Sequence, residues 1–261
     1  MTDVIVKGIS RGYGRGVSAT TEFSVDSEGR RIGPVAQHLL LENEAVNVWQ
    51  VDTPPGETFW HHYHHYDYVL FHTSEMLGVV YNAEEDHERI WRARMERGAH
   101  GAAELLGAIC YEHSLLYIPG TGFLSPGYVN IGETRFTAAL IEVKRPRRAD
   151  QEGVGFSRTD ALVGLPPRSG STLLLENDRL RVYETALEAG QADQPRARGD
   201  CATFVIDGGR VRTVADGEGG DRVVAEEERP SVSASWSSTD DTTRLVNVGD
   251  VNYRELAVEL K

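Results

Sequence analysis

The chain has 261 residues, and its 27 Lys and Arg stand against 40 Asp and Glu, a formal net charge of −13 at pH 7. That balance argues against a nucleic acid or an anionic membrane as partner, because both are bound through clustered Lys and Arg that displace counterions. A content of 40% hydrophobic and 26% charged residues is that of an ordinary folded chain, long enough to bury a real core.

Taken in chain order, the first 37 residues read as an arm, and Arg11-Gly-Tyr-Gly-Arg-Gly16 within it reads as a turn, since no βαβ pattern follows it. Strand-like segments come next: Val46 to Val51, Leu77 to Tyr81, Leu115 to Ile118 and Phe136 to Val143 are short, β-branched or alternating. Between the second and third of these, Asn82 to Gly107 carries the one helical signal. Asn82 with Glu85 has the form of a capping box, Glu85/Arg89 and Glu88/Arg92 are i,i+4 ion pairs, and Trp91 and Met95 share a face. The stretch from Arg145 to Ser171, with Pro146, Gly153, Gly155, Pro166, Pro167 and Gly170, reads as a linker. Further strands are expected at Leu180 to Tyr183, Phe204 to Ile206 and Arg254 to Leu260. No run reaches the roughly 20 apolar residues of a membrane span and no apolar leader opens the chain, so a cytoplasmic protein is expected. Cys110 and Cys201 stand far apart, and two reduced, partly buried thiols are expected.

An internal repeat organises these elements. Leu39-Leu-Leu-Glu-Asn43 recurs as Leu173-Leu-Leu-Glu-Asn177, a shift of 134 (173 less 39) that also sets Val48 on Val182, Trp49 on Tyr183 and Gly56 on Gly190. Asn130-Ile-Gly-Glu matches Asn247-Val-Gly-Asp with a shift of 117 (247 less 130), so the first copy carries 17 extra residues (134 less 117), placed in the helical segment. Many short strands at turn-like spacing read as a sandwich or barrel. The expected organisation is an arm (1–37), a first β-domain (38–145, with a helical insertion near 82–107), a linker (146–171) and a second β-domain (172–261).

The densest chemistry lies in Gly56-Glu-Thr-Phe-Trp-His-His-Tyr-His-His-Tyr-Asp-Tyr68, behind a Pro-Pro-Gly turn. On a strand His62 and His64 share one face and His61 and His65 the other. Imidazoles two residues apart on a strand can chelate a divalent metal. His61 and His65 are expected on the outer face, and Trp60, Tyr63 and Tyr66 in packing roles.

In these features the sequence resembles the cupin superfamily, and its duplication resembles a bicupin. Gly56, His62 and His64 fit the first cupin motif, and Pro119-Gly120 with Asn130-Ile-Gly132 keep the skeleton of the second. The resemblance implies an all-β fold of tandem double-stranded β-helix barrels, jelly-roll-like, with a short inserted helix in the first half. It also implies a metal held by three His and one Glu, from which this chain departs. Tyr68 or Val69 stands at the Glu position, with Asp67 one place early, and Leu124 or Pro126 stands at the second-motif His. A metal on His62 and His64 must therefore recruit Asp67, Tyr68, His72, His113 or solvent. In the second half Arg196 and Arg198 replace the histidines, Cys201 and Ala202 align with Asp67 and Tyr68, and Thr243 replaces the second-motif His, so that half is expected to be degenerate.

Three functions are compatible with these residues. The first is a metal-dependent enzyme, dioxygenase- or lyase-like, acting on a small organic molecule through Fe, Zn, Mn or Ni on His62 and His64. The second is a metal-independent isomerase or cyclase with a His base and a Tyr acid, a pair that His62 or His64 with Tyr68 or Tyr66 can supply. Tyr68 and Asp67 are the catalytic candidates beside the two histidines. The third is a non-catalytic bicupin that binds a metabolite or serves as an assembly subunit. Each takes a small-molecule or protein partner, and a homodimer is compatible with the exposed edges of such barrels.

Overall fold

The computed structural model describes residues 5–6, 23–27, 30–81, 86–120, 122–151, 155–159, 169–215, 221–238 and 241–261. Two compact units divide the chain, Met1–Leu39 with Trp49–Leu140 (unit 1) and Leu40–Val48 with Ile141–Lys261 (unit 2). Both are built from antiparallel strands, as expected. The Arg11–Gly16 turn, the Asn82/Glu85 capping box and, in the linker, Gly153, Pro166 and Pro167 fall outside the described residues.

The N-terminal arm contributes a small sheet of β1 (Ile5–Val6), β2 (Phe23–Val25) and β3 (Arg31–Ile32). There follow β4 (His38–Glu42), β5 (Val46–Thr53), β6 (Thr58–Phe59), β7 (His62–His64), β8 (Asp67–His72) and β9 (Met76–Tyr81), then helix α1 (Asp86–Leu106). The first copy closes with β10 (Gly107–Cys110), β11 (Leu115–Ile118), β12 (Phe123–Ser125), β13 (Gly127–Asn130) and β14 (Phe136–Val143). One sheet runs β11-β8-β14-β5-β4 and a second runs β10-β9-β13-β6, while β7 pairs with β12 alone. Val51, Tyr68 and Phe136 from the first sheet meet Met76, Phe59, Cys110 and Tyr128 from the second, which makes an aromatic and aliphatic interior between them.

Helix α1 packs on the outer face of the second sheet. Ile90, Ala93, Ala102 and Ala103 close over Leu77, Val79, Val129 and Ile131, and each fully buried aliphatic side chain there is worth about 1.5–3 kcal/mol. The helix breaks at Gly98, whose φ of 74° is left-handed, so two shorter helices share the insertion. Of the expected Trp91/Met95 face, Trp91 packs against this cluster, but Met95 is 80% exposed. Ile90 and Ala93 provide the buried stripe, because the sheet presents small aliphatic ridges that Met95 cannot reach from its side of the helix.

Strand β15 (Ser157–Thr159) precedes the second copy, which comprises β16 (Gly170–Glu176), β17 (Leu180–Leu187), β18 (Arg196–Ala197), β19 (Asp200–Asp207), β20 (Gly209–Ala215), β21 (Arg222–Arg229), β22 (Ser233–Ser238), β23 (Thr242–Asn247) and β24 (Tyr253–Leu260). Its sheets are β16-β17-β24-β19-β22 and β18-β23-β20-β21, and Leu187, Val205 and Tyr253 of one pack on Val211 and Leu245 of the other.

The repeat holds at the level of single atoms. Asn43 accepts backbone N–H bonds from Ala45 and Val46, and Asn177 accepts the same bonds from Arg179 and Leu180. Buried Asn130 donates to the Thr53 and Thr134 carbonyls and accepts from Gly132 N. Asn247 donates to Leu187 and Val251 and accepts from Gly249 N. Gly56 and Gly190, at φ 80° and 79°, donate to the Asn130 and Asn247 carbonyls.

Candidate functional site

The turn at Pro54 to Gly56 launches β6 and β7. Its left-handed Gly56 lets the chain reverse tightly while its N–H holds the end of β13 at 2.7 Å. Along β7 the pleat turns His62 and His64 inward and leaves Tyr63, between them, 37% exposed. The strand pairs antiparallel with β12, setting His64 opposite Phe123 and His62 opposite Ser125.

Inside the barrel the two imidazoles form a compact group with Tyr68. Their ring centroids lie 4.6 Å apart at 80°, and His64 stacks on the Tyr68 ring at 3.9 Å and 13°. Phe59 covers His62 at 4.6 Å. Burial lowers the pKa of His62 from its ordinary 6.5 to about 4 and that of His64 to about 3, with the neighbouring imidazoles adding to the shift. Both rings are therefore neutral at pH 7. The Nδ1 of His62 lies 2.8 Å from the Trp60 carbonyl, which only accepts, so Nδ1 carries the proton and Nε2 carries the lone pair.

Asp67 does not join this group. It sits one residue out of phase with Tyr68 on β8, and its carboxylate accepts from Tyr117 Oη at 2.9 Å and Gly120 N at 2.8 Å. Gly120 is required there, because a Cβ would come within 2.1 Å of the Tyr66 backbone. The alternation that brings Tyr68 inward thus turns Asp67 into a fastener for the β11–β12 connection. His72 shares the inner side of β8 but lies about 13 Å along the strand from Tyr68, at about 3.3 Å per residue. Its Nδ1 is 2.6 Å from Ser114 Oγ. His113 occupies the neighbouring turn with a φ of 64° and lies 3.5 Å from Glu112. His65 is exposed, as expected of the outer face. His61 is not: only 4% of it is exposed, because the arm returns over it, with Gly33 N donating to the His61 carbonyl and the Arg31 guanidinium 5.0 Å from the Trp60 ring.

The donor set decides what metal the site fits. Two imidazoles on one cation, each with a bond of about 2.1 Å, place their centroids roughly 4.5–5 Å apart, so the pair itself suits ligation. A resident metal ordinarily has three protein ligands or more, and no three His, Cys, Asp or Glu converge among the described residues. Among the described residues, His62 and His64 by themselves fall short of a self-sufficient metal site.

Residues that the motif spacing does not reveal complete the interior. Leu70, on the same strand as Tyr68, and Trp49, Ile118 and Tyr128, from three other strands, pack around Tyr68, Met76 and Phe136. Their alternation marked inward faces, but only the sheet order sets them around Tyr68.

No protein-family profile matches the chain, and no curated protein matches it in sequence. Solved structures do. AerE from Microcystis aeruginosa superposes with a TM-score of 0.50 at 8% identity, over 99% of this chain and 97% of its own. Oxalate decarboxylase from Bacillus subtilis, described with Mn(II) centres, gives 0.50 at 10% identity over 83% of this chain and 69% of its own. Pumpkin seed globulin gives 0.52 at 9% identity, over 83% of this chain and 77% of its own.

Proposed function

Because the chain carries a duplicated cupin fold, we propose that unit 1 is an acid–base enzyme for a small, largely apolar carbonyl compound, of the isomerase or cyclase class, working on His62, His64 and Tyr68 without a resident metal. The arrangement of the three inward rings, two neutral imidazoles with one stacked on the phenol, carries this reading.

Each group has a role that its environment supports. The lone pair on His62 Nε2 takes a proton from carbon next to the carbonyl, and a base with a pKa near that of a carboxylate suffices for such a C–H. The Tyr68 hydroxyl and the neutral His64 ring hydrogen-bond the carbonyl oxygen as negative charge gathers on it, a task for which a neutral imidazole of low pKa is suited. Return of the proton to a different carbon moves the double bond, with no electron donor or acceptor consumed. Trp49, Phe59, Leu70 and Ile118 favour an apolar substrate body and keep bulk water from the exchanged proton.

The 4.6 Å imidazole spacing supports a second reading, a metal-dependent dioxygenase- or lyase-like enzyme in which His62 and His64 hold Fe, Zn, Mn or Ni and the substrate supplies the remaining ligands. One experiment separates the two. Untagged protein is dialysed against EDTA and incubated in D₂O with small enones, β,γ-unsaturated ketones and 2-oxo acids, and deuterium entry is followed by NMR. Exchange in EDTA that falls about 100-fold in His62→Ala and at least about 10-fold in Tyr68→Phe supports the acid–base reading. Exchange that EDTA abolishes and one equivalent of metal restores supports the second. No exchange under either condition overturns both, and unit 1 is then a binding or assembly barrel.

A further inference from the structure

Beside its aliphatic core, the interior of unit 2 holds buried charged residues where that of unit 1 holds histidines and aromatic rings. Register sets side chains in rows across β17, β24 and β19: Glu259 and Cys201 in one, with Arg181 exposed at its end, Tyr183, Ala257 and Thr203 in the next, then Thr185, Glu255 and Val205. Onto these rows β18 and the turn after it bring Arg196 and Arg198, at the positions that His62 and His64 hold in the first copy.

The two arginines differ in how they are satisfied. Arg198 donates to Asp193 Oδ2 at 3.0 Å and Glu255 Oε1 at 3.2 Å. Glu255, fully buried, also takes Arg229 Nη1 at 2.9 Å and the Tyr253 hydroxyl at 2.6 Å, so this cluster is closed. Arg196 has no such partner set. Its guanidinium lies 4.1 Å from the Tyr183 ring, and its nearest carboxylate oxygen is Glu259 Oε1 at 3.7 Å, beyond hydrogen-bond reach. Nε, Nη1 and Nη2 are all buried without a hydrogen-bond acceptor among the described residues, as is Glu259 Oε1 without a donor, although the Arg196 side chain is only 13% exposed.

A buried guanidinium with none of its N–H groups bonded is costly, since it has left water and gained little in exchange. The guanidinium carbon sits over the Tyr183 ring at 4.1 Å, a cation–π contact that holds the rigid fork of donors in place above the ring. A planar oxyanion accepts two parallel N–H bonds from such a fork. In the same row Ala257, its smallest member, lies directly opposite Tyr183. Glu259 borders the fork at 3.7 Å, and burial raises the proton affinity of its carboxyl, which weakens it as the competing anion.

We propose that Arg196 anchors a second ligand site, in the barrel of unit 2, that takes a small carboxylate through the guanidinium fork against Tyr183, with Glu259 at its edge. The second copy is on this reading a binding barrel and not merely a structural remnant.

The test uses the full-length protein, titrated with formate, acetate and benzoate, with inorganic phosphate as a tetrahedral comparison, and read by calorimetry and by the arginine Nε–H NMR signals. At least one carboxylate binds with a Kd of about 1 mM or tighter and moves the Arg196 signal. Affinity falls about 10-fold or more in Arg196→Lys, which keeps the charge and loses the fork, and vanishes in Arg196→Met. Glu259→Gln, which removes the competing negative charge, tightens binding several-fold. His64→Ala leaves the affinity unchanged, which separates this site from the one in unit 1. An Arg196 signal that stays still at about 50 mM of every carboxylate, well above a millimolar Kd, overturns the proposal, as does binding that survives Arg196→Met. If Arg196→Met fails to fold by circular dichroism, Glu259→Gln decides, and unchanged or weaker binding there counts against the site.

Discussion

His62 and His64 stay neutral because they leave water without gaining a carboxylate, so desolvation of the cation outweighs the one opposing contact, the Trp60 carbonyl on His62. The consequence for stability has a definite sign. The unfolded chain takes up these protons near pH 6.5 and the folded chain only near pH 4 and 3, so between those values the unfolded state binds more protons and stability falls as the pH is lowered. Their contribution is fully present above about pH 6.5. At about 1.4 kcal/mol per pKa unit the loss by pH 4 reaches several kcal/mol. Urea denaturation in EDTA between pH 7.5 and 4, in steps of about one pH unit, should show this slope, and His62→Ala with His64→Ala should flatten it. An identical slope in the double variant would mean that other groups carry the acid sensitivity. Alternation along β7 and β8 made His62, His64 and Tyr68 visible as one side of the fold. That same alternation excludes Asp67, and its role in holding Tyr117 and Gly120 comes from a partner 50 residues away, which no local pattern records.

Among the elements, the two asparagine-centred turns are the clearest products of the duplication. Asn130 and Asn247 each tie three backbone groups, and each is almost wholly buried. Removing either side chain strands one N–H and two carbonyls, so Asn130→Ala and Asn247→Ala should each cost about 2–4 kcal/mol, at about 1 kcal/mol or more per bond. Denaturant midpoints measure both, and a cost confined to one copy would show that the equivalent turns no longer do equivalent work. The repeat in the sequence announced these turns because Asn and Gly recur at the same spacing in both, as Asn130 with Gly132 and Asn247 with Gly249. The helical insertion was legible as an element but not in its placement. Its break needs Gly98 in a left-handed conformation, and its buried stripe is chosen by the sheet it covers.

For the molecule as a whole, a net charge of −13 means self-repulsion in the folded state. Raising ionic strength from about 0.01 M to 0.15 M shortens the screening length from about 30 Å to 8 Å, and should raise the thermal midpoint by about 2–4 °C, equivalent to about 1 kcal/mol. A midpoint that falls with salt would show that attractive ion pairs, such as Arg198 with Asp193 and Glu255, outweigh the repulsion. By itself the sequence determined the all-β class, the two copies and the positions of His62, His64, Arg196 and Arg198, because strand period, turn chemistry and repetition are written locally. Only the tertiary structure decided which donors converge. It stacks Tyr68 on His64, takes Asp67 away, and leaves Arg196 without the acceptors that Arg198 has. These outcomes depend on register between strands far apart in the chain, where a shift of one residue exchanges every inward side chain for an outward one.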